Sequence, residues 1–125
     1  MATERGVILD SSVWVAFLHK EDSQHPKARK MLEGITEPII VPEYILIEVA
    51  TILKRKKKDM EAKRFVQTVF NDGGTFLLSE MLAYETAELF CMRRDTLSFI
   101  DTALLILSRR YRVITFDAQL ARALV

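Results

Sequence analysis

Four acids in this chain stand where a charge is conspicuous or expensive. Asp10 and Asp117 close two short aliphatic runs, Val7-Ile8-Leu9-Asp10 and Val113-Ile114-Thr115-Phe116-Asp117. Glu48 is the only ionised residue between Glu43 and Lys54, and its neighbours are Tyr44, Ile45, Ile47, Val49, Ile52 and Leu53. Asp101 repeats the pattern between Asp95 and Arg109, flanked by Phe99, Ile100, Ala103, Leu104 and Leu105. A carboxylate on an apolar face needs a partner or a metal ion. Gathered in one cleft, such acids repel one another, each pair at roughly 4 Å costing about 4 kcal/mol in an effective dielectric near 20. No Lys or Arg adjoins any of the four in sequence. Hard divalent cations prefer oxygen ligands, so Mg²⁺ or Mn²⁺ is the expected occupant. With one cysteine and no histidine pair at helical spacing, the sequence gives little support for zinc. His19 and His25, six residues apart, share no helix face and read as exposed loop residues.

Each acid also has a structural reading. Asp10 and Asp117 could cap the helices that follow them, and Ser98-x-x-Asp101 has the form of a capping box. Glu48 stands too far inside its helix to cap it, but it could pair with a Lys or Arg from elsewhere in the fold. The functional reading draws its weight from the four together.

The elements that would position these acids follow from hydrophobic pattern. Val7–Asp10 and Val113–Asp117 lack polar alternation and read as buried strands. Ile39–Val41, closed by Pro42, and Thr75–Leu78, after the Gly73-Gly74 turn signal, are two more. Helices are expected over Ser12–His19, Pro26–Leu32, Glu43–Lys56, Met60–Phe70, Glu80–Arg93, Ser98–Tyr111 and Ala118–Leu124. Strands separated by helices, with no hairpin signal between them, predict a three-layer α/β/α sandwich around a mainly parallel sheet. Ligands of such sheets bind beyond the carboxyl ends of the strands, where Asp10 and Asp117 are expected.

The 125 residues, 50% of them hydrophobic, suit one domain spanning 1–125 with a single core. There is no internal repeat and no Pro/Ser linker; the one shift in composition is Lys54-Arg55-Lys56-Lys57-Lys58. The opening MATERGVILD, charged at Glu4 and Arg5, does not read as a signal peptide, and no apolar run approaches a membrane span. The lone Cys91 excludes an intramolecular disulfide, so a cytoplasmic location is expected. Eighteen basic and 17 acidic residues nearly cancel, so net charge alone does not mark a nucleic-acid binder.

Taken in order, the motifs resemble those of PIN-domain nucleases, in particular the VapC-type toxins of toxin-antitoxin pairs, over nearly the whole chain. They are Leu9-Asp10-Ser11-Ser12-Val13-Trp14-Val15, Leu46-Ile47-Glu48-Val49-Ala50, Leu97-Ser98-Phe99-Ile100-Asp101-Thr102-Ala103 and Thr115-Phe116-Asp117. The segment Glu21 to Ala28 is similar to the family's loop into its second helix. The resemblance implies a Mg²⁺- or Mn²⁺-dependent endoribonuclease with Asp10, Glu48, Asp101 and Asp117 around the metal, and Ser12 and Thr115 as supporting hydroxyls. It also implies a cognate antitoxin and a homodimer, with apolar faces near Trp14, Phe17 and Leu46 offering an interface, although for Trp14 and Phe17 core packing is the default.

The expected chemistry is in-line attack of an activated water on an RNA phosphodiester, leaving a 5′-phosphate and a 3′-hydroxyl, with no histidine base required. Phosphate contacts are sought among Lys54–Lys58, Lys63-Arg64, Arg93-Arg94 and Arg109-Arg110-Arg112, with Arg93 and Arg94 favoured because the chain soon returns to Asp101. A non-catalytic PIN-like module that binds RNA or protein is the alternative. A receiver or acid-pocket phosphatase would need tandem acids after the first strand and a later strand-end lysine, and neither is found.

Overall fold

The computed structural model describes residues 6–73 and 75–124. Its elements run β1 (Val7–Leu9), α1 (Ser11–Leu18), α2 (His25–Glu33), β2 (Ile39–Pro42), α3 (Glu43–Arg55), α4 (Asp59–Asn71), β3 (Phe76–Leu77), α5 (Leu82–Met92), α6 (Phe99–Leu107), β4 (Arg112–Ile114) and α7 (Ala118–Leu124). The four strands form one parallel sheet in the order β3-β2-β1-β4. Helices cover both faces, as the uninterrupted apolar strands require. The expected α/β sandwich is therefore the observed architecture.

β1 lies at the centre. Ile8 stands beside Ile40 on one side and Val113 on the other. Successive side chains of a strand point to opposite faces. Val7 and Leu9 accordingly pack with Val13, Trp14, Met31 and Leu32 under α1 and α2, whereas Ile8 packs with Leu97, Leu104, Leu107 and Leu120 under α6 and α7. A third cluster joins β2 to α3 and α4 through Val41, Ile45, Val49, Leu53, Ala62 and Phe65. Trp14 lies against Phe65, ring centroids 4.9 Å apart, and Leu46 is buried. Both contribute to internal packing, the default reading for Trp14, while half-buried Trp14 and Phe17 also line an open groove. Gly6 admits no side chain, because a Cβ there would stand 2.8 Å from Cγ1 of Ile40.

Several boundaries move. The last strand is Arg112–Ile114 and stops three residues short of Asp117, because Thr115 turns its hydroxyl inward and accepts the Asp117 N–H at 3.0 Å. The helix expected to reach Tyr111 ends at Leu107; Ser108 bonds back to the Leu105 carbonyl at 2.6 Å, and Arg109 and Arg110 close tight turns on Ile106 and Leu107. Pro42 sits at the cap of α3, one residue before its first turn. Gly74 of the predicted turn, like Glu4 and Arg5, lies outside the described residues. The histidines are not free loop residues. His25 begins α2 and donates from Nδ1 to the Ala16 carbonyl at 2.9 Å, and half-buried His19 lies 3.3 Å from Glu21. Among the described residues no helix is long and apolar enough to cross a membrane.

Candidate functional site

At the carboxyl end of the sheet, a cleft of about 530 Å³ opens between α1, α3, α6 and the loop after β4. All four singled-out acids line it: Asp10, Glu48, Asp101 and Asp117. They arrive from different elements, which is why no local motif contains them.

Asp10 is held most firmly. It caps α1, its Oδ1 accepting the Ser11 N–H at 2.7 Å, and its Oδ2 accepts the hydroxyls of Thr115 at 2.7 Å and Ser12 at 3.3 Å. Ser12 in turn accepts the Phe116 N–H at 3.2 Å. The two hydroxyls thus lock the loop after β1 to the loop after β4, and Asp10 remains only 5% exposed.

Asp101 and Asp117 also serve as helix-end groups. Ser98 and Asp101 form the capping box of α6, and Asp117 accepts the Leu120 N–H at 2.9 Å in the first turn of α7. Capping therefore orients three of these acids without removing them from the cleft. Burial raises the Asp101 carboxyl above the ordinary range, its hydrogen bonds to Ser98 offset part of this, and the charges of Asp10 and Asp117 add to the rise.

Glu48 is the outlier. It faces the cleft from the middle of α3, and its buried Oε1 has no hydrogen-bond partner. No Lys or Arg forms an ion pair with it among the described residues, so the pairing considered from sequence is not seen. Burial is the main cause of its raised pKa; the Ser11 hydroxyl works against the rise, and Asp10 and Asp101 add to it. As the side chains stand, no three His, Cys, Asp or Glu among the described residues are grouped closely enough to hold a metal ion. The acids share a cleft but are not drawn into a coordination shell.

Among the lining residues given no role from sequence, two stand nearest to the chemistry in kind. Asp22 reaches the cleft from the α1–α2 loop, and Ser11 lies beside Asp10. Asp22 gave no signal because an acid in a polar loop is ordinary; only the packing of α2 on α1 brings it near. Of the basic candidates, Lys54 pairs with Asp59, Lys58 with Glu21, Arg93 with Asp95 and Arg112 with Glu37, whose carboxyl that guanidinium pulls down to about 2. Arg112 opens β4 at the end of the strand remote from the cleft. Arg94 is exposed and stands outside these pairs, and Arg55 borders a shallow groove with Glu48 and Ile100.

No curated protein matches the chain in sequence. Among solved structures, VapC20 of Mycobacterium tuberculosis, a sarcin-ricin loop cleaving toxin, is similar with a TM-score of 0.79 and 18% identity over 94% of each chain. The PIN-domain family model matches residues 7–124, from the first residue of β1 to the last of α7. With that match over almost its whole length, and a parallel sheet that delivers its acids to one cleft, this chain belongs to the PIN-domain family.

Proposed function

We propose that the protein is a single-domain, Mg²⁺- or Mn²⁺-dependent endoribonuclease, acting as the toxin of a toxin-antitoxin pair. The observation that carries the reading is the convergence of Asp10, Glu48, Asp101 and Asp117 on one cleft with no cation paired to any of them among the described residues. The donor set suits a hard cation: all four are oxygen ligands, and one of them, Glu48, presents a buried oxygen without a partner. The chemistry of the donor set thus suits the metal, and Asp10, Glu48, Asp101 and Asp117 are the residues that would hold it once their side chains turn inward. A bound Mg²⁺ or Mn²⁺ supplies Lewis-acid activation of water and of the scissile phosphoryl group.

The chain's own part is positioning. Thr115 and Ser12 fix the orientation of Asp10, and the capping box fixes Asp101. Glu48 is the adaptable member. Arg55, which borders a groove with Glu48, and exposed Arg94 are the residues we assign to phosphates of the RNA. The likeness to VapC20, a sarcin-ricin loop cleaving toxin, supports an RNA substrate, and a cognate antitoxin protein is part of the same proposal. A homodimer would use α5 and its cap, where Met81, Tyr84, Phe90 and Met92 are exposed and Phe90 lies 5.4 Å from the exposed Phe99 ring. The absence of any disulfide partner for Cys91 agrees with a cytoplasmic setting.

The test is incubation of the purified protein, and of Asp101→Asn, with end-labelled RNA in Mg²⁺ or Mn²⁺ and in excess chelator. Internal cuts only with metal, only by the unchanged protein, and ending in 5′-phosphate are expected. A 2′,3′-cyclic phosphate product would overturn the mechanism, and no cutting of diverse RNAs by folded, metal-loaded protein would favour a non-catalytic binding module.

A further inference from the structure

Among the buried polar atoms without a hydrogen-bond partner, two belong to residues one helical turn apart on α3: the Tyr44 hydroxyl and Oε1 of Glu48. Residues at i and i+4 share a helix face, and helical side chains lean toward the N-terminal turn. Glu48 therefore leans over the turn that carries Tyr44. One group is a donor lacking an acceptor, and the other is an acceptor lacking a donor.

Tyr44 is also firmly placed. Its ring packs against both the α3–α4 cluster and the α6–α7 cluster. Its phenol is largely buried near Asp10, Glu48 and Asp101 and keeps its proton at neutral pH, as an ordinary phenol does. The Ser11 hydroxyl acts on Glu48 but leaves its Oε1 without a partner, and a fixed ring carrying a hydroxyl donor one helical turn away is what that oxygen lacks.

The two atoms are not bonded to each other in this structure; the geometry points to Tyr44 as a positioning residue for Glu48, its hydroxyl donating to the Glu48 carboxylate once a cation draws that side chain round, and so setting which oxygen is offered to the cation. This rests on the cation reading given above. Outer-shell hydrogen bonds to ligating carboxylates typically carry 10- to 100-fold in metal affinity or activity. Asp10 has Ser12 and Thr115 for this purpose, and Asp101 has Ser98. Glu48 has Tyr44.

The test is Tyr44→Phe, which keeps the ring and removes the hydroxyl. Mn²⁺ affinity by calorimetry is expected to fall about tenfold, while the melting temperature in chelator stays equal to or above that of the unchanged protein, because an unpartnered buried hydroxyl has gone. RNA cleavage is expected to lose kcat with KM unchanged. A second measurement uses the unchanged protein: adding Mg²⁺ shifts the near-ultraviolet absorption of a tyrosine, and the shift is absent in Tyr44→Phe, which retains Tyr84 and Tyr111. Unaltered Mn²⁺ affinity in Tyr44→Phe, or no tyrosine shift in protein that does bind Mg²⁺, overturns the inference and leaves the nuclease reading standing. Failure of the unchanged protein to bind either cation overturns both.

Discussion

The Thr115 hydroxyl donates to Oδ2 of Asp10 at 2.7 Å across 105 residues of sequence, tying the end of β4 to the end of β1. The Thr115 Oγ1 in turn accepts the Asp117 N–H at 3.0 Å, so one side chain aligns two acids of the cleft. Thr115→Val preserves shape and removes both bonds. It should lower RNA cleavage about tenfold, as loss of an outer-shell partner does, and cost about 1 to 2 kcal/mol of stability for the two unmade bonds. Cleavage kinetics and a urea titration check the pair.

Asp10→Asn separates structure from chemistry at the same position. An asparagine can still cap α1 through its side-chain oxygen, so stability should change by less than about 1 kcal/mol. Cleavage should fall by at least about a hundredfold, since transition-state stabilisation by a metal is worth several kcal/mol and each 1.4 is tenfold. Equal activity of the two proteins would remove Asp10 from the chemistry.

Glu48 makes stability depend on pH in a definite direction. Its folded pKa is raised from 4.5, mainly by burial, and that of Asp101 is raised from 3.8 for the same first cause. The folded chain thus binds these protons more tightly than the unfolded chain. The associated stability is fully present below the ordinary carboxylate values and is lost as pH rises through the raised folded ones. In chelator at neutral pH, Glu48→Gln should therefore melt a few degrees higher than the unchanged protein. That advantage should shrink as pH is lowered toward 4.5, the ordinary glutamate value. Saturating Mg²⁺ should reverse the order of the two proteins, because it stabilises only the folded chain that binds it.

Ser98 contributes to the fold and to the site through one hydroxyl. Ser98→Ala removes the bond from the Asp101 N–H, 3.0 Å long, and opens the capping box of α6. A loss of about 1 kcal/mol is expected, with faster amide hydrogen exchange confined to the first turn of α6. Mg²⁺ affinity should weaken as Asp101 loses its orientation.

Charge at the rim should show in the salt dependence of RNA binding. Arg55→Ala, beside Glu48, should flatten the slope of log affinity against log salt by about 0.7, the value for one phosphate contact on single-stranded RNA. Arg93→Ala should leave the slope nearly unchanged, because Asp95 already engages that guanidinium. Filter binding in chelator measures both without cleavage.

Much of this arrangement is legible in the sequence where burial and charge conflict. Glu48 and Asp101 announce themselves as lone acids on apolar helices, and both line the cleft with Asp10 and Asp117. Helix α3 was legible to within a residue because its apolar spacing, the proline before it and the lysines after it all agree. The end of β4 was not, because Val113 to Phe116 reads as a strand that continues until Thr115 is seen bonding both Asp10 and the Asp117 N–H. Asp22 and Tyr44 escaped for a related reason. A loop acid and an aromatic residue on an amphipathic helix look ordinary until the neighbours that give them a task are folded against them.

β1 is three residues long, wholly buried, and bonded to a strand on each side. Because its side chains alternate between two differently shaped cores, sliding it by one residue would present Ile8 to the wrong face and Val7 and Leu9 to the other. The strand consequently acts as a ruler with two graduated edges. Asp10 is the next mark after Leu9, so its address in the cleft is counted out in whole residues by the packing itself. A chain whose interior has closed correctly has already delivered its first acid, and an insertion or deletion ahead of Asp10 cannot spoil the one without spoiling the other.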